Sequence, residues 1–135
     1  MGDVGSGYLG YVIAVLALAA TRADPVAAWV WLILGCAFLV DASVTLARRL
    51  ARGERVSEAH RSHAYQWLAR RWGSHRRVTL TVLTLNVCWL LPCAIFATRH
   101  PTYAAATAAV AVATLAVLVT AAGGGRREAP QQARE

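Results

Sequence analysis

The run His60-Arg61-Ser62-His63-Ala64-Tyr65-Gln66 lies within a stretch from Ala47 to Arg77 that holds nine of the fourteen arginines and three of the four histidines. Arginine is always charged and its planar fork matches the oxygens of a phosphate. Histidine adds a group that can accept, donate or carry a proton near neutral pH. Together these types point to phosphate-bearing lipids or nucleotides. Topogenic charge alone would account for the arginines, since positive residues hold a loop on the cytoplasmic side, but topology has no need of histidine. His60 and His63 stand at a spacing that can ligate a metal. No third protein ligand lies near them in sequence, so zinc is not the expected chemistry.

The elements that must position this stretch are hydrophobic. The chain has 135 residues, of which 57% are hydrophobic, and a mean hydropathy of +0.42. Four apolar runs, at about 5–21, 26–46, 78–98 and 103–122, are separated by polar punctuation. This pattern predicts an all-α polytopic membrane protein with four transmembrane helices. The membrane domain covers residues 1–122, the long loop 47–77, and residues 123–135 read as a disordered polar tail. The first run does not resemble a signal peptide, because no basic region precedes it and Asp3 does. A sequence pI near 10.4 invites nucleic acid as a partner. However, the basic residues sit between spans and include no lysine, so loop topology explains them and no nucleic-acid partner is expected. Cys36, Cys88 and Cys93 all fall in apolar runs and read as small core residues. Pro25 suits the first turn of the second helix, Pro92 predicts a kink in the third, and His100-Pro101 predicts a short turn.

Charge predicts the orientation. The loop has nine arginines and the tail three, against Arg22 and Arg99 in the two short turns. The positive-inside rule then places the loop and both termini in the cytoplasm, so Asp3 and the histidine loop share one membrane face. Within the loop, Ser57 is placed to cap a helix with Glu58 in its first turn, and Gly73 to end it. Over 57–72, Tyr65, Leu68 and Trp72 form an apolar stripe suited to an amphipathic helix in the interface, with His60, His63 and Trp67 on a neighbouring face. Asp41 lies inside the second apolar run. It is either a functional carboxylate or a structural one bonded to a neighbouring helix.

Two stretches resemble a known family. Met1-Gly2-Asp3-Val4-Gly5-Ser6 is similar to the Met-Gly-Asp-x-Gly-Ser segment of the polyprenyl-phosphate N-acetylhexosamine-1-phosphate transferases, a superfamily that includes the muramoyl-pentapeptide translocase. Val40-Asp41-Ala42, followed by the loop with His60-Arg61-Ser62-His63-Ala64-Tyr65-Gln66, resembles the O-antigen initiating subgroup. The resemblance covers roughly Met1 to Pro92, and the order and spacing of the two motifs make it specific.

The resemblance implies an enzyme of the bacterial inner membrane that moves N-acetylhexosamine-1-phosphate from a UDP-sugar to undecaprenyl phosphate and releases UMP. It implies that Asp3 is a catalytic carboxylate and a ligand of Mg²⁺, the expected cofactor. It also implies that His60, Arg61 and His63 contact the substrate phosphates, with His63 counted as catalytic as well. Opposing phosphates repel, and a metal with fixed cations relieves that repulsion. Where the commoner family motif continues with paired histidines, this chain has Tyr65 and Gln66. The family's N-terminal portion also carries an adjacent pair of aspartates, and no two acids are adjacent here. Met1 coincides with the Met of the family motif. The expectation is therefore a C-terminal segment, inactive alone, whose partner would be the missing N-terminal half. The alternative is a small non-catalytic cationic protein that binds anionic membrane lipid or a partner membrane protein.

Overall fold

The computed structural model describes residues 3–53 and 63–124. Within them the chain is all-α, with four helices long and apolar enough to cross a membrane. The order is α1 (Asp3–Ala23), α2 (Val26–Ala51), α3 (Ala64–Trp72), α4 (His75–Leu85), a π-helical turn (Asn86–Leu90), α5 (Leu91–Arg99), one 3₁₀ turn (Pro101–Tyr103) and α6 (Ala104–Ala121). α4, the π turn and α5 form one continuous span, His75–Arg99. Three spans outrun their apolar runs by taking in residues at their ends. α2 shows this best, running on through Arg48 and Arg49 to Ala51.

The core lies between α2, α5 and α6. α6 contributes Ala104, Ala108, Ala111, Leu115 and Val119, all buried and spaced by three or four residues, which is one helical face. Opposite them stand Ile33, Cys36 and Val40 of α2, Leu90 of the π turn, and Ala94 and Ala97 of α5. So many alanines let the backbones approach closely, which is how helices pack where water supplies no hydrophobic drive. α1 stands apart: it packs chiefly on α2, and none of its apolar window is buried.

Three expectations change. The irregularity expected at Pro92 takes the form of a π-helical turn directly upstream of it. Proline has no N–H to offer the carbonyl four residues back, and a wider turn absorbs the lost bond. Asn86 joins the adjustment by donating its side-chain amide to the Val82 carbonyl at 2.8 Å. Cys88 is exposed on the outside of the bundle and is not a core residue; Cys36 is buried and Cys93 half-buried.

The third change concerns the loop helix. α3 begins at Ala64, because His63 is extended (φ −65°, ψ 148°) and occupies the N-cap position. His63 therefore does not continue the helical face of Trp67, and the proposed start at Ser57 lies outside the described residues. Gly73 ends α3 in the left-handed conformation (φ 60°), as its position predicts. Tyr65 and Trp72 are exposed, while Ala64 and Ala69 are the buried positions.

Candidate site at the loop end of the bundle

The inner face of α2 changes character along its length. After Ile33, Cys36 and Val40 come Asp41, Thr45 and Arg49, buried and spaced by four, so the same stripe turns polar near the loop. A buried carboxylate must find donors or lose far more than it gains. Asp41 finds them outside its own helix. Its Oδ1 accepts the Ala64 N–H at 2.8 Å and, more weakly, the Thr45 hydroxyl at 3.4 Å. Its Oδ2 lies 3.6 Å from His63 Nδ1, a contact longer than a hydrogen bond.

Asp41 thus does for α3 what a capping side chain usually does for its own helix. The first N–H groups of a helix have no partner within it, and the residue in the N-cap position, His63, makes no side-chain cap bond. A carboxylate supplied across 23 residues of chain fills the gap, and negative charge suits the helix N-terminus. Asp41 stands about three turns before the end of α2, so the loop must fold back along α2 to bring Ala64 to it.

The C-terminal end of α6 closes the same corner. Gly123 takes a positive φ of 92°, and Gly124 donates its N–H to the Val119 carbonyl at 3.0 Å. Arg48 donates to the Gly124 carbonyl, tying α2 to the end of α6. A Cβ at Gly124 would lie 2.8 Å from Val119 Cγ1 and 3.3 Å from Ala64 Cβ, so the start of α3 rests against a position with no room for a side chain.

The outer side of α3 carries the cations and aromatic rings. Arg70 sits 5.0 Å from the centre of the Trp67 ring, and the His63 and Tyr65 rings stack at 5.8 Å. Arg71, His75, Arg76 and Arg77 are exposed. The last three open α4, where cations oppose the helix dipole; such a placement suits an anionic surface nearby. Gln66 Oε1 and Trp67 Nε1 are buried without a hydrogen-bond partner, a condition that water or a bound group ordinarily relieves.

Of the residues singled out from sequence, the structure brings Asp41 and His63 together. His60 and Arg61 lie outside the described residues. Asp3 begins α1, and its side chain also lies outside them. α1 and α2 are joined by the short turn at Asp24–Pro25. Among the described residues no group of three or more metal-ligating side chains occurs. Asp41 Oδ1 is engaged by the Ala64 N–H and, weakly, the Thr45 hydroxyl, with Oδ2 facing His63. A groove of about 620 Å³ lined by Trp89, Pro92, Phe96, Tyr103 and Val110 lies at the opposite end, and its apolar walls offer a phosphate nothing.

Thr45, Arg48, Arg49 and Gly124 did not stand out in the sequence. The repeat of four from Asp41 through Thr45 to Arg49 was the available signal for two of them. Nothing local marks Arg48 or Gly124, whose partners are distant in the chain. Comparison with known proteins leaves the family open: no protein-family model, no curated protein and no solved structure matches this chain.

Proposed function

We propose that this chain is the C-terminal segment of an inner-membrane transferase that moves N-acetylhexosamine-1-phosphate from a UDP-sugar to undecaprenyl phosphate. In this reading the loop end faces the cytoplasm and the segment does not turn over alone. The observation that supports it most is that Asp41 and His63, from the two parts of the second motif, come together. Asp41 holds His63 against the bundle, and in this reading Asp3 opens α1 on the same membrane face. His63, with Arg61 beside it in sequence, would then meet the donor phosphates, which need fixed positive charge as the bond to the leaving UMP breaks. A metal centre would need carboxylates from a further segment, because the described residues hold no ligand set.

A second reading, an anionic-lipid-binding protein without catalysis, is favoured by one observation. Arg70, Arg71, Arg76 and Arg77 share the interface with exposed Tyr65 and Trp72, a cationic and aromatic belt of the kind that membranes attract.

Co-expression with the N-terminal portion of an O-antigen initiating transferase separates the two. UMP release should appear only with both segments present. Asp3→Asn should abolish it, and Arg61→Ala or His63→Ala should lower it by about a hundredfold, the cost of one well-placed group at a developing phosphate charge. His75→Ala, one turn outside α3, should leave it within about twofold of the unsubstituted chain. Equal losses at His63 and His75 would mean bulk charge and would favour the lipid-binding reading.

A further inference from the structure

We infer that Asp41 is a positioning residue for His63: its carboxylate selects the imidazole tautomer that carries the proton on Nδ1 and so makes Nε2 the basic nitrogen. Only the catalytic consequence of this assignment rests on the transferase reading above.

The geometry divides the carboxylate into two halves with two tasks. Oδ1 is held by the Ala64 N–H at 2.8 Å and approached by the Thr45 hydroxyl. That fixes the plane of the group, on a buried position of a long helix. Oδ2 is thereby aimed at His63 Nδ1, 3.6 Å away. The ring is itself restrained by stacking on Tyr65, with only 22° between the two planes. A lone pair on Nδ1 would face the negative oxygen and be repelled, whereas an N–H there is attracted. Which nitrogen of a histidine carries the proton is set by what the other meets. Capping alone does not call for a charge, because an asparagine or serine caps a helix equally well. A buried negative charge costs more than either, and the imidazole N–H is the element that a carboxylate, rather than an amide, rewards.

The test uses the whole 135-residue chain in lipid nanodiscs, labelled with ¹⁵N-histidine, with His63 assigned by its loss in His63→Gln. Long-range ¹H–¹⁵N spectra at alkaline pH report the tautomer of each neutral ring. The unsubstituted chain should show His63 mainly as Nδ1–H. Asp41→Asn keeps an oxygen for the Ala64 N–H, so the α3 shifts should persist while the Nδ1–H to Nε2–H ratio falls about tenfold, the lower end for a contact to a charged group. An unchanged ratio with α3 intact would overturn the proposal and leave Asp41 a cap only. If Asp41→Asn loses α3, the unsubstituted chain still decides, because a ring protonated mainly on Nε2 overturns the assignment. In the co-expressed transferase, Asp41→Asn should lower kcat about tenfold with little change in KM, and Asp41→Glu should recover part of the loss. A rise in KM alone would count against positioning. No activity from any combination would count against the transferase reading and leave the tautomer result standing.

Discussion

Two aspartates perform the same local task, one just before α2 and one in its loop-side half, and the difference between them explains how the bundle is built. Asp24 accepts the Val26 N–H on its Oδ1 at 2.9 Å, two residues away and in the open. Asp41 accepts the Ala64 N–H at 2.8 Å, 23 residues away and buried. The first bond begins a helix that its own neighbours would begin anyway. The second holds a separate helix against the membrane bundle. A carboxylate on a helix N-terminus is therefore worth little or much depending on what the chain would do without it. Exposed groups fall back on water, and buried ones leave a donor stranded.

The comparison is sharpest under substitution. Asp41→Ala strands the Ala64 N–H and removes the charge facing His63. The expected cost is about 2 kcal/mol, or roughly a thirtyfold rise in the population with α3 released. Trypsin cleavage after Arg70 and Arg71, followed by mass spectrometry, should accelerate by about that factor, since cleavage tracks the open population. Unchanged cleavage would mean that α3 is held by something other than Asp41.

Gly124→Ala approaches the same corner from α6. The new methyl would sit 2.8 Å from Val119 Cγ1 and 3.3 Å from Ala64 Cβ, so either the end of α6 or the start of α3 must give way. Overpacking of this kind costs about 1–2 kcal/mol, and cleavage at the same two arginines should rise by about tenfold. The smallest effect belongs to Asp24→Ala. It should cost about 0.5 kcal/mol and leave α3 untouched, read as a slight fall in the thermal midpoint with no change in trypsin cleavage. If Asp24→Ala released α3 as readily as Asp41→Ala, the two aspartates would not differ as described.

Much of this architecture was legible in the sequence because membrane-length apolar runs declare themselves. The helix end at Gly73 was legible too, since glycine alone adopts φ 60° without strain. The start of α3 was not. The cap expected at Ser57 lies outside the described residues, whereas the Ala64 N–H at the start of α3 is held by a carboxylate from another helix. A local rule cannot register a partner 23 residues away. The same reason hid Arg48 and Gly124, whose bond spans 76 residues. Asp41 was visible as an acid in an apolar run, and only the packed bundle shows which groups it bonds.

The most direct test of the account compares two amides in one molecule by hydrogen exchange, Ala64 N–H and Val26 N–H, with the chain in nanodiscs. Each is bonded to an aspartate, but the first is buried and the second exposed. Ala64 should exchange at least thirtyfold more slowly than Val26, and Asp41→Ala should erase most of that difference. Equal exchange of the two amides in the unsubstituted chain would contradict the claim that Asp41 fixes the loop helix to the bundle.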